Sequence, residues 1–271
     1  MNSLLEMFSY DFMVRALIVG LLLSLAAALI GVPLVLRKSS MIGDGLSHVA
    51  FGAFAIASVL GLTPLPVALP IVIATSTLIL KLDNSRRLNG DAAIALISTS
   101  ALALGTFVVS LAGSNVDINS YLFGSILSLG TTDVIITVIM TTLVVLLFGL
   151  LYHRIFAVTF DASFARSIGL NTELYNLIFA LLCSSVIVLG MRLMGALLIS
   201  ALLIFPVLAA KQVATSYRAV VFSSIFISLL SLLVGLLASY ILNTPTGATI
   251  VLSELTFFIF ATLFRKVFKI Y

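Results

Sequence analysis

Long apolar runs, almost free of charge, fill this chain of 271 residues. Nine can be read along it, at about 13–36, 43–62, 65–81, 91–112, 132–152, 172–191, 194–210, 218–242 and 247–264. Each has roughly the 17–25 residues that a helix needs to cross a bilayer core. Such a chain has few ways to fold. Lipid offers backbone groups no partners, so only helices and closed barrels can span it. The runs are continuous rather than alternating, which selects helices. The expectation is an all-α polytopic transmembrane bundle of about 8–9 spans. Charged residues make up 9% and the mean hydropathy is +1.30, whereas a soluble domain carries about 25% charge. The longest polar connection, 152–172, is too short to hold a soluble domain. Residues 1–271 therefore read as a single transmembrane domain. Glu6 and Asp11 precede the first run and Arg15 is the only early cation, a pattern unlike a cleaved signal peptide.

The cations set an orientation. With the N-terminus outside, the inner side holds Arg37, Lys38, Lys81, Arg86, Arg87, Arg154, Arg166, Lys211, Arg218, Arg265, Lys266 and Lys269, and only Arg15 and Arg192 fall outside. This follows the positive-inside rule and leaves the C-terminus in the cytoplasm. The net charge of +4 reflects these helix ends and implies lipid contact, not nucleic acid. The third span is bracketed by prolines, Pro206 suggests a kink in the seventh, and 118–130 is short enough for a re-entrant helix. Cys183 lies in an apolar run and reads as a core thiol.

Against this background Asp44 and His48 stand out. The spacing i, i+4 puts carboxylate and imidazole on one helix face. Ionisable groups at membrane depth are costly and mark paths for ions or protons. Carboxylate plus imidazole also suits a divalent metal, although two ligands are few; a second copy of the chain would supply four. Gly43, Gly45 and Gly52 permit a close or irregular helix start. The plain structural alternative makes Asp44 a helix N-terminal charge and His48 part of a polar packing seam. A metal-bound imidazole must be neutral, so transport is expected to fall as His48 protonates.

A second feature follows the fifth run. Residues 161–168 can form two helical turns, with Asp161 at the start, where an anion is favoured, and Gly169 as the cap. Phe160, Phe164 and Ile168 recur at i, i+4, i+8 as an apolar stripe. Such a helix can lie on lipid, or it can dock into a groove of a cytosolic partner. Small residues at 195, 196, 200, 201, 209 and 210 favour tight helix packing. Glu254, inside the last run, either snorkels to the outer surface or lines a polar path. Asp117 and Asp133 read as solvated caps and His153 as a surface residue. The chain has no Gly-Lys dipeptide, hence no phosphate-binding loop of the Walker A kind. Any ATP hydrolysis belongs to another subunit.

Five strings in order resemble the permease subunits of the metal-ion ABC importers, the ABC-3 family of zinc, manganese and iron uptake systems. They are residues 35–50 (with Arg37-Lys38, Gly43-Asp44 and Ser47-His48), Ser120-Tyr121-Leu122-Phe123-Gly124, Phe160-Asp161 with Ala165 and Gly169, Gly195-Ala196-Leu197-Leu198, and Pro245-Thr246-Gly247-Ala248. The resemblance implies a type II ABC importer-like fold in a bacterial inner membrane and a homodimeric permease. It also implies cytosolic ABC ATPase subunits and an extracytoplasmic metal-binding protein that delivers the ion. Residues 161–169 become the coupling helix. Asp44 and His48, with Glu254 as a candidate, line the path of a zinc or manganese ion that is cargo, with no cofactor held permanently. The competing reading is a stand-alone, ion-coupled secondary transporter. It has no use for an inner docking helix and calls for inverted repeats, which the sequence does not display. An intramembrane enzyme is a third, weaker reading, since no Ser/Lys or His-Glu-x-x-His arrangement accompanies the pair.

Overall fold

A computed structural model describes residues 10–83, 90–112, 124 and 130–268. Among the described residues there are ten helices: α1 (Asp11–Leu36), α2 (Met41–Val59), α3 (Pro64–Asp83), α4 (Gly90–Ala112), α5 (Thr131–Phe160), α6 (Ala162–Ser167), α7 (Thr172–Met194), α8 (Ala196–Val213), α9 (Tyr217–Leu242) and α10 (Thr246–Phe268). Eight are long and apolar enough to cross a bilayer, and α3 adds a shorter apolar stretch over Pro64–Ile79. The protein is a multi-pass membrane bundle.

Helices α1, α2, α7 and α8 form its centre. Ala16, Ala27, Ile30, Phe54, Ile187, Ile199 and Leu202 are fully or almost fully buried there. Helices α4, α5 and α10 lie outside them with broad apolar faces. On α5 the exposed residues Ile135, Ile139, Leu143, Leu146 and Leu150 repeat every three or four positions, the stripe expected of a helix against lipid.

Glycine sets how closely the central helices approach. A Cβ on Gly105 of α4 would fall 2.8 Å from the Cα of Gly52 on α2, and one on Gly31 of α1 would meet the Leu203 backbone of α8. These backbones touch, which is how helices gain dispersion contact when lipid is as apolar as their side chains. Ser76 and Ser184 share a hydrogen bond of 2.9 Å between α3 and α7, and Ser228 of α9 donates to the Ser24 carbonyl of α1 at 3.2 Å.

The turns follow a common rule. After α1, Lys38 takes a left-handed conformation (φ 60°), with Lys38 N–H donating to Val35 and Ser39 N–H to Leu34. Gly61 after α2 and Gly169 after α6 repeat this 5→2, 6→1 pattern, which satisfies carbonyls the helix end leaves free. Gly195 alone separates α7 from α8, with φ 88° and ψ 158°. That region is open in practice only to glycine. Gly190 packs on Ile199 across this turn, so the chain doubles back.

One expectation changes. The fifth span does not end near 152: α5 continues to Phe160, because Tyr152, Phe156 and Phe160 stack with Tyr217 of α9 at ring separations of 4.8–6.1 Å. His153 is therefore a helical residue within α5, though still exposed. Pro206 lies within α8. Of the short segment 118–130 only Gly124 and Gly130 are described, and Ser120 to Phe123 lie outside the described residues.

Candidate functional site

Asp44 and His48 sit in the first two turns of α2. His48 Nε2 and Asp44 Oδ2 are 3.6 Å apart, and the side chains are 29% and 45% exposed, respectively. This is longer than a strong charge-assisted hydrogen bond of about 2.8 Å. It is close to the ~3.4 Å edge of a tetrahedron with metal–ligand bonds of about 2.1 Å. The pair is open on one side and held on the other. Leu46, Ser47 and Val49 around it are buried. Ser47 donates to the Gly43 carbonyl at 2.9 Å and lies 3.3 Å from the Ser200 hydroxyl of α8. Ser200 also interacts with the Asp44 side chain. His48 Nδ1 is buried without a hydrogen-bond partner among the described residues. Packing and Asp44, not a carbonyl behind the ring, therefore orient the imidazole.

The depth of the pair follows from packing. Leu203 of α8 meets both Gly31 and Gly43; a Cβ on Gly43 would lie 2.9 Å from its Cδ1. Lys211 is eight residues further along α8, about 12 Å at 1.5 Å per residue. Helix α2 thus starts about 12 Å inside the level of Lys211, and Asp44 and His48 lie deeper still. A cavity or a partner must face ionisable groups at such depth. Among the described residues no third His, Cys, Asp or Glu joins them.

The second candidate, α6, is shorter than predicted: Asp161 is its N-cap and the helix covers only Ala162–Ser167. The Asp161 carboxylate accepts from Ser163 N–H and Phe164 N–H at 2.9 Å each, which satisfies two donors that the helix start leaves free. Ala165 is fully buried against Val158 of α5 and Tyr175 of α7. Tyr175 is fixed in turn by Arg154 at 2.6 Å, and Arg166 bonds Thr172 at 2.9 Å. One face of α6 is seated; Phe164 on α6 and Ile168 at its C-terminal cap are 58% and 55% exposed, and Phe160, at the end of α5, is 60% exposed. All three side chains are exposed, but they do not form one i, i+4, i+8 helical stripe, because the extended backbone at Asp161 separates Phe160 from α6.

Glu254 does not snorkel. It is 1% exposed, and both carboxyl oxygens are buried without hydrogen-bond partners among the described residues. Asp133 caps α5 by accepting from Gly130 N–H at 3.1 Å and pairs with Arg192. Cys183 is buried and free. Sequence reasoning missed Ser200, which it counted only as a small packing residue. A hydroxyl in an otherwise apolar helix was the available signal. It also missed Asn176 and Phe179 of α7, which hold the Arg37 guanidinium by a 3.0 Å hydrogen bond and by ring stacking at 5.2 Å.

Known proteins resemble this chain over almost its whole length. The manganese import system permease protein ScaB of Streptococcus parasanguinis is 30% identical over 250 residues, 92% of this chain and 89% of that protein. The high-affinity zinc uptake system membrane protein ZnuB of Haemophilus influenzae is 29% identical, over 95% and 98% of the two chains. Among solved structures, a chain of PsaBC from Streptococcus pneumoniae in complex with Fab superimposes with a TM-score of 0.84 at 28% identity, covering 95% of each chain. The model of the ABC 3 transport family matches residues 9–265. With a multi-pass bundle, a polar pair deep within it and no nucleotide-binding loop, the chain belongs to the ABC 3 transport family as a membrane permease subunit.

Proposed function

We propose that this permease conducts a divalent transition-metal ion, with Asp44 and His48 as transient ligands and α6 as the element that docks on a cytosolic ATPase. The observation that carries the reading is the half-open pair at 3.6 Å, deep in a bundle whose other buried polar groups are mostly serines and threonines. The names of the relatives, manganese and zinc systems alike, agree with a hard oxygen beside a borderline nitrogen. That donor set takes either metal, with geometry and supply deciding.

The chemistry needs weak, incomplete ligation. An ion must shed part of its water to enter and must still leave, so a path should replace only some of its hydration shell. Two ligands per chain meet that demand. A second copy, facing the first across α2, would bring the number to four, which suits a divalent ion. Phe164 and Ile168, exposed on α6 and at its cap, support ATPase docking, since apolar anchors on a helix are how it fills a groove. The cation bias supports a cytoplasmic α6 and an outside N-terminus, with an extracytoplasmic binding protein delivering the ion.

The test is uptake of radioactive zinc and manganese by cells that express the assembled transporter. Asp44→Asn and His48→Ala should each abolish uptake while the complex still assembles and hydrolyses ATP. Uptake at the wild-type rate in either variant would reduce the pair to a packing seam.

A further inference from the structure

A groove of about 450 Å³ opens between α5, α9 and α1, away from Asp44 and His48. Its walls are Leu29, Val145, Phe148, Val221, Phe222 and Ile225, and its floor includes Gly149. A Cβ placed on Gly149 would meet nothing within 4 Å. The groove exists because glycine stands there on a helix that otherwise presents leucine, isoleucine and valine. At one end stand His153 and Arg218, both exposed. This is the end of α5 that leads to Phe160 and α6, so the groove runs from the membrane edge into the apolar layer.

Arg218 is in the first turn of α9, where a cation meets the positive pole of the helix and gains nothing from the dipole. Among the described residues, Arg218 and His153 have no acidic partner. The walls are preformed: Phe148 packs edge-on against Tyr152 at 6.2 Å, and Tyr152 against Tyr217 at 5.2 Å. From this geometry we infer that the α5/α9 groove is a specific site for an anionic phospholipid, with an acyl chain along Phe148, Gly149 and Val221 and the phosphate at Arg218 beside His153. The match is one of charge and shape together. An apolar channel without a basic mouth takes any lipid tail, and a basic mouth without a channel takes any anion. Basic pockets between transmembrane helices at the membrane edge bind anionic headgroups.

The assembled transporter, purified and stripped of lipid, is incubated with phosphatidylglycerol or phosphatidylcholine and read by native mass spectrometry. Phosphatidylglycerol should stay bound at one per permease chain under conditions that remove phosphatidylcholine. Arg218→Ala should weaken retention roughly fivefold, the loss of one surface cation. Gly149→Phe, which fills open space, should remove the bound lipid while the complex keeps its assembly and melting temperature. Equal retention of the two lipids, or retention unchanged in both variants, would overturn the inference and leave only a general lipid-facing surface. A Phe222→Cys variant that forms a disulfide between two copies would overturn it in favour of a protein–protein contact.

Discussion

Asp133 Oδ1 lies 3.4 Å from Arg192 Nη2, so the start of α5 is clasped to the end of α7. Three residues after Arg192 the chain reverses at Gly195, and Gly124 abuts the Met194–Gly195 backbone from the other side. The clasp and the reversal make unequal contributions. Arg192 is 40% exposed, so its ion pair is worth at most about 1 kcal/mol. Gly195 occupies backbone space that a Cβ forbids, at a cost of roughly 1–3 kcal/mol. Arg192→Ala should barely move the melting temperature of the purified transporter, whereas Gly195→Ala should lower it clearly. Equal effects would mean that the clasp, not the turn, holds this end.

The seat of α6 separates folding from docking. Phe164→Asp changes an exposed side chain and should reduce ATPase co-purification severalfold without altering membrane insertion. Ala165→Leu forces bulk into the contact with Val158 and Tyr175 and should lower stability by about 1–3 kcal/mol. Normal assembly of the Phe164→Asp complex in a pull-down would remove α6 from the ATPase contact.

Orientation can be read by labelling. A cysteine at Thr63, after α2, should react with an impermeant maleimide from outside intact cells. One at Ser167, the last residue of α6, should react only after permeabilisation. Native Cys183 is buried and gives little background. The reverse pattern would overturn the charge argument and put α6 on the wrong side for a cytosolic partner.

Glu254 gives a stability test with an unusual sign. A buried carboxyl without partners is costly to keep, and an apolar residue of similar size loses nothing by replacing it. Glu254→Leu should therefore raise the melting temperature of the purified transporter. A fall would show that the carboxyl has a partner in the assembly, the outcome expected if it lines a path shared between copies.

The sequence carried the helices well because lipid removes the competing solutions. A run of twenty apolar residues has one way to satisfy its backbone there, so α1, α4, α7 and α9 appear close to where hydropathy places them. The end of α5 was hidden because Tyr152 to Phe160 is held helical by Tyr217, 57 residues further along the chain. Local pattern does not report such a contact. The Asp44–His48 pair was legible from spacing alone. Its depth was not, since that rests on Leu203 touching Gly31 and Gly43. Ser200 was hidden for the same reason: its place beside Ser47 comes from the reversal at Gly195.

The contact between Gly52 and Gly105 bears on how such a transporter moves. Where two backbones touch, no side chain lies between them to slide or repack, and packed interfaces switch between discrete arrangements rather than deform. The contact therefore joins α2 and α4 into one closely packed pair, with Asp44 and His48 on α2. A methyl added at Gly52 would meet the Ala101 backbone and one at Gly105 the Cα of Gly52, so either would force α2 and α4 apart without altering Asp44 or His48.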